Sequence, residues 1–286
     1  WLDDFLRKNL PGAVNEPNVS NSKIRRLIVA GAVSVNKAQV RRPAFELRGI
    51  SHIEVNYEKE KFLFEKQPDD VKFELSEKNI LFEDEFIICV DKPALFPTEE
   101  TLAGGEKRDN LHAAVVRYLW KKNPGLRNPP YAGIMHRLDR ETSGVILFTK
   151  QRSVNKEIQR MFAEHDFIKN YLALCTDDTG KLRPGKEFSV EMFMNRISPK
   201  SHAAKWGSVS ESSCGLYSRT DFCVLKEVFY GDKKFFLVRA NLFTGRTHQI
   251  RVHLSCSGFP ILGDVLYGGK PEKRVMLHSA RLEFRH

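Results

Sequence analysis

The stretch Met135-His136-Arg137-Leu138-Asp139-Arg140-Glu141-Thr142-Ser143-Gly144, running directly into Val145-Ile146-Leu147-Phe148, constrains the fold more than any other part of the chain. Four consecutive apolar residues read as a strand buried on both faces, and Thr142-Ser143-Gly144 has the small, permissive residues of a turn. Asp139 therefore stands at the mouth of a rigid element, with Arg137 and Arg140 on either side. Opposite charges within about 4–6 Å favour an ionised carboxylate by roughly 1–3 pKa units, which suits a nucleophile or a base. As pattern alone, the string also fits a surface turn capped by Asp139 and paired with an arginine.

Four more blocks accompany it: Phe82-Glu83-Asp84-Glu85-Phe86 to Asp91-Lys92-Pro93-Ala94, Lys169-Asn170-Tyr171-Leu172-Ala173-Leu174, Gly245-Arg246-Thr247-His248-Gln249-Ile250-Arg251-Val252-His253-Leu254, and Leu277-His278-Ser279-Ala280-Arg281-Leu282. With His136-Arg137-Leu138-Asp139-Arg140, they closely resemble, in order, the Rlu-type RNA pseudouridine synthases. Residues 80–286 thus resemble that family's catalytic domain. Residues 1–62, with Leu2-Asp3-Asp4-Phe5-Leu6, Ser22-Lys23-Ile24-Arg25-Arg26-Leu27-Ile28 and Gly31-Ala32-Val33-Ser34-Val35-Asn36, resemble the small RNA-binding domain of ribosomal small-subunit protein four. Residues 63–79, mixed in charge and containing Pro68, read as a linker. The expected fold class is α+β: a small helix-hairpin domain, then a mixed, mainly antiparallel sheet.

The resemblance implies isomerisation of uridine to pseudouridine, in which the base leaves ribose through nitrogen, turns, and rejoins through carbon 5. This needs no cofactor or metal, but does need a carboxylate beside the ribose. By resemblance Asp139 is that group, Tyr171 stacks on the base, and Arg246 pairs with Asp139, its guanidinium offering two parallel hydrogen bonds. Leu277 is expected to wall the uracil pocket, and Lys92-Pro93 to pack beneath the active-site loop. The target must leave its helix, at a cost of a few kcal/mol. Arg137 or His136 is expected to lean into the vacated place, with Arg140 and Lys169 also on the RNA. Two departures from the family pattern stand out: Ala94-Leu95-Phe96-Pro97-Thr98 lacks the usual Gly and His-Pro pair, and Leu216 replaces an often basic residue.

The charge agrees with an RNA partner: 46 Lys and Arg against 36 Asp and Glu leave a net charge of +10, which favours polyanions. Between residues 22 and 48, Lys23, Arg25, Arg26, Lys37, Arg41, Arg42 and Arg48 face only Glu46. Lys23, Arg25, Arg26, Arg41 and Arg42 are the expected phosphate contacts, holding RNA without reading its bases. Ribosomal RNA is favoured by analogy over transfer RNA. Five cysteines without a C-x-x-C pair argue against a disulfide framework or zinc knuckle. His248 and His253, five apart, are poorly placed for a shared metal. No Gly-rich strand-to-helix loop suggests a nucleotide-type cofactor, and no apolar run approaches the ~20 residues that span a bilayer. A cytoplasmic monomer is expected, the competing reading being a non-catalytic RNA-binding or ribosome-assembly factor.

The local pattern predicts helices over Trp1–Leu10, from Ser20 or Ser22 to Gly31, over Leu111–Lys121 and over Val154–Ala163. Strands are expected at 32–35, 39–40, 53–55, 87–90, 145–148, 171–174, 222–225, 235–238 and 249–254. A Ser- and Gly-rich loop or insertion is expected at 198–219.

Overall fold

The computed structural model describes residues 1–14, 19, 21–56, 70–100, 102–103, 106–177, 179–198 and 204–286. The chain divides into two compact units, one formed chiefly by Trp1–Asp69, the other by Asp70–Thr101, Arg108–Ser198 and Ala204–His286.

In the first unit, α1 (Leu2–Ala13) and α2 (Asn21–Ala30) pack with a three-stranded antiparallel sheet of β1 (Val33–Val35), β2 (Ala38–Val40) and β3 (Ile53–Val55), ordered β2-β1-β3. Leu2, Leu6, Leu10 and Val14 lie one helical turn apart and bury one stripe against Ile24, Ile28, Val33, Val35 and Val40. That stripe explains why α1 runs past the expected stop at Pro11. Val14 belongs to the buried row, and its N–H still reaches the Leu10 carbonyl at 3.0 Å. Gly31 (φ +79°) closes α2, and Asn36 and Lys37 (φ 51° and 69°) make the left-handed two-residue turn of a tight hairpin. Ser20, and the side chain of Ser22, lie outside the described residues.

The second unit is built on a ten-stranded sheet. In chain order its elements include β4 (Ile80–Glu83), β5 (Ile87–Lys92), α3 (Leu111–Lys122), β8 (Gly133–Ile134), β9 (Ser143–Thr149), α4 (Asn155–Ala163) and β10 (Ile168–Cys175). Then come β11 (Glu187–Arg196), β12 (Trp206–Val209), β13 (Leu216–Tyr230), β14 (Lys233–Leu242), α5 (Gln249–Cys256) and β15 (Leu277–Glu283). The short β6 (Leu102–Ala103) and β7 (Glu106–Lys107), which fall outside this unit, pair with each other. The order across the large sheet is β12-β11-β13-β14-β10-β15-β9-β5-β4, with β8 beside β9. Only β9–β15 is parallel among the described pairings, so the fold is α+β with a mixed, mostly antiparallel sheet.

β9 is buried on both faces, as its apolar run predicts. Ile146 and Phe148 enter the main core with Val90, Phe96, Leu111 and Val115, while Leu147 enters a second cluster with Ile87, Ile158 and Met161. Each such side chain contributes about 1.5–3 kcal/mol through burial.

Three expectations need correction. Residues 249–254 form α5, not a strand, and both their polar and apolar side chains are buried. Residues 70–79, expected as linker, belong to the second unit: Asp70 pairs with Arg108 and Arg140, and Leu75 joins the core. The region 198–219 contains β12 and the start of β13, both in the sheet; residues 199–203 lie outside the described residues.

Candidate active site

The loop before β9 is fixed from several sides by hydrogen bonds to its backbone carbonyls. Thr98 Oγ1 donates to the Leu138 carbonyl at 2.7 Å, and the Phe96 N–H and Lys92 Nζ reach the Arg140 carbonyl at 3.2 and 3.1 Å. Lys92, fully buried, also donates to the carbonyls of Pro93 and Phe96. Burial pulls its ammonium down to about 7 against the opposing pull of Glu141 and Asp139. Lys92 thus stitches β5 to the underside of the loop. Gly144 lets the loop enter the sheet. Its φ is +110°, and a Cβ there would stand 2.1 Å from the Ser279 carbonyl oxygen on β15. Only glycine fits this approach.

Asp139 opens onto a cleft of about 850 Å³. Its Oδ2 lies 3.6 Å from Arg251 Nη1 and 3.8 Å from His248 Nε2. Arg251 is held from behind by buried Asp264, through Nε to Oδ2 at 2.7 Å and Nη2 to Oδ1 at 2.8 Å. Burial disfavours the guanidinium charge, but the Asp264 hydrogen bonds, with Asp264, Asp139 and Glu141 as anions, raise its pKa above the usual arginine range. Two nitrogens are therefore spent on Asp264 and the third faces Asp139.

Arg246, expected to hold Asp139, is elsewhere: its Nε donates to the Tyr217 carbonyl at 3.0 Å, at the cleft rim. The turn into α5 gives the inward position to Arg251, five residues on. Nor do the neighbours Arg137 and Arg140 serve as charge partners of Asp139. Arg137 pairs with Glu99, and Arg140 with Asp70 at 2.6 Å and Glu141 at 3.3 Å. Residues one and two apart in a turn point different ways, so sequence adjacency did not produce the pair.

Tyr171, on β10, is buried and lines the cleft. Burial, with Asp139 nearby and against a hydrogen bond from Ser279, pushes its phenol up to about 12. The hydroxyl stays protonated at neutral pH. Leu277 lines the same cleft, as expected. Lys169 lies 5.8 Å above the Phe162 ring and also lines it, and burial lowers its pKa. His136 touches the cleft but is not free to lean outward: its Nε2 accepts the Leu147 N–H at 3.0 Å and its ring packs on Phe162 at 5.0 Å. Burial, with Lys169 adding to it, drives the imidazole down to about 3, so it is a neutral prop beneath the loop.

In the first unit, Arg25 binds Asp3 through Nε and Nη2 at 3.2 and 3.1 Å, and Arg41 binds Gln39. Arg26 and Arg42 are exposed and Lys23 is half-buried. Arg251, His248, Asp264 and Tyr267 were missed as site residues. The block containing Arg251 was singled out, but reading it as a strand hid which side chain turns inward.

Arg108, Arg137, Arg140, Lys169, Arg246 and Arg251 line the cleft, against two acids, Glu99 and Asp139. A wide cationic cleft with one carboxylate held at its wall has the build of an enzyme for a polyanion. Among the described residues no group of three His, Cys, Asp or Glu side chains is placed to hold a metal ion.

Residues 86–256 match the RNA pseudouridylate synthase family model. The chain belongs to this family, and the enzyme is an RNA pseudouridine synthase, an isomerase. An uncharacterised RNA pseudouridine synthase of Mycoplasma pneumoniae is 32% identical over all of this chain and 84% of its own length. Ribosomal large subunit pseudouridine synthase C of Pasteurella multocida is 31% identical over 100% of this chain and 82% of its own. Relatives of that type place the chain in the Rlu-type branch. Human RNA pseudouridylate synthase domain containing 1 has the same fold, with a TM-score of 0.56 at 24% identity over 73% of this chain and 80% of its own.

Proposed function

We propose that this enzyme isomerises uridine in structured ribosomal RNA, with Asp139 as the reacting carboxylate. The observation that carries this reading is the hold on Asp139. Arg251 and His248 both approach Oδ2 of a carboxylate that lines the cleft where a ribose would lie. Tyr171 supplies a buried ring for the extruded base and Leu277 an apolar wall. Arg137, Arg140 and Lys169 contact RNA at the cleft, and Lys23, Arg25, Arg26, Arg41 and Arg42 hold phosphates from the N-terminal unit, a protein-four-like RNA-binding domain.

The preference for ribosomal over transfer RNA rests on relatives named as ribosomal large subunit synthases. Five unpaired cysteines favour a reducing compartment such as the cytoplasm, and we take the working form to be a monomer. The deciding assay is tritium release from RNA labelled at uridine carbon 5. Release by the protein and none by Asp139→Asn is the expected outcome. Tight binding without release from ribosomal or transfer RNA would instead mark an RNA-binding factor.

A further inference from the structure

Two hydrogen bonds in series lead to His248, whose other ring nitrogen faces Asp139. The Trp206 backbone N–H donates to Tyr267 Oη at 2.9 Å, and Tyr267 Oη lies 2.8 Å from His248 Nδ1. A backbone N–H can only donate, so the Tyr267 oxygen is an acceptor toward Trp206. Tyr267 is buried and its hydroxyl has no other hydrogen-bond partner among the described residues, so its own proton has one acceptor, His248 Nδ1. The proton of the neutral imidazole is then on Nε2, the nitrogen that faces Asp139 Oδ2 at 3.8 Å.

The geometry of the residue supports a built arrangement. His248 is the cap of α5 and holds φ at +57°, a conformation rare for a residue with a Cβ. Its ring meets Tyr267 edge to face at 5.6 Å, and Arg251 lies over the same tyrosine ring at 5.1 Å. One tyrosine therefore orders both groups that hold Asp139.

We propose that His248 is a positioning residue, kept in the Nε2–H form by Tyr267 and Trp206, whose neutral N–H faces Asp139 Oδ2 and steers the reacting carboxylate. A neutral donor matters because Arg251 already supplies a cation at the same oxygen. A second cation there would hold the carboxylate too firmly to attack or to remove a proton. The groups facing the imidazole are Asp139, Glu141 and Asp264, which favour its protonation, and Arg251, which opposes it. Burial is the largest influence and keeps it below the usual histidine value.

The role rests on Asp139 being the reacting group, and the test separates the two. Nitrogen chemical shifts of histidine in the whole protein, with His248 identified by its loss in His248→Gln, report the tautomer without any turnover. The expected result is a bare Nδ1 and a protonated Nε2, with the bare state lost in Tyr267→Phe, which keeps the ring over Arg251. Tritium release in Tyr267→Phe should show kcat about tenfold lower with KM unchanged, and an acid limb moved to higher pH, because Nδ1 is freed to take a proton. His248→Gln, whose amide can donate from the Nε2 position without titrating, should keep more activity than His248→Ala and show a shallower acid limb. A proton found on Nδ1 in the native protein, or an unchanged kcat and pH profile in Tyr267→Phe, would overturn the proposal. Turnover in Asp139→Asn would overturn the assignment of Asp139, and the steering role with it, while the tautomer is read independently.

Discussion

Replacing Asp264 with Ala tests the support behind the site. Arg251 is 5% exposed and Asp264 1%, and the two share hydrogen bonds of 2.7 and 2.8 Å. Removing Asp264 leaves a guanidinium in a place water scarcely reaches, with Asp139 at 3.6 Å and Glu141 at 4.0 Å as its remaining counter-charges. Breaking a buried pair this way costs about 3–5 kcal/mol. At roughly 2–4 °C per kcal/mol for a unit of this size, the melting temperature should fall by about 6–20 °C. The control is the double variant Arg251→Met/Asp264→Leu, which removes both charges and should recover most of the lost stability but none of the activity. Calorimetry gives the melting temperatures and tritium release the rate. A fall of less than about 2 °C in Asp264→Ala, or a double variant no more stable than the single, would refute the claim that Arg251 is buried and dependent on Asp264.

Gly144→Ala should cost on the order of 3 kcal/mol and abolish turnover, since the new Cβ meets the Ser279 carbonyl in a left-handed conformation; a near-native melting curve would count against that packing. Tyr171→Phe should leave the kcat profile unchanged up to about pH 10, because the phenol in the protein ionises only near 12; a lost limb in the neutral range would mean the hydroxyl titrates there. His136 has a folded-state pKa of about 3 against 6.5, so as pH falls below about 6.5 the unfolded chain takes a proton that the folded one refuses. That loss of stability should be shallower in His136→Gln, and parallel denaturation curves down to pH 4 would contradict it. Arg137→Ala should slow turnover on structured RNA more than on a single-stranded version of the same site, and equal slowing on both would remove its role in filling the vacated stack.

Much of the scaffold was legible because its signals are local. The run Val145–Phe148 marked a strand buried on both faces, and the local pattern placed the helices over Trp1–Leu10 and up to Gly31 and the short strands that follow. The motif also located the cleft through Asp139, Tyr171 and Leu277. The misread helix has an identifiable cause. In Gln249-Ile250-Arg251-Val252-His253-Leu254 polar and apolar residues alternate, which reads as a strand with a wet face. In the folded protein the polar set is buried too, Gln249 on the Arg219 carbonyl and Thr220, Arg251 on Asp264, His253 on Ser218.

The sequence by itself determined the two-part plan, the basic character and the loop that carries Asp139, since each depends on residues that are neighbours in the chain. Only the tertiary structure decided what holds that carboxylate. Arg251 reaches it from 112 positions downstream, backed by Asp264, while His248 depends on Tyr267 and Trp206 for its proton. Charge and hydrogen-bond partners are chosen by distance in space, and no periodicity in the chain encodes that distance.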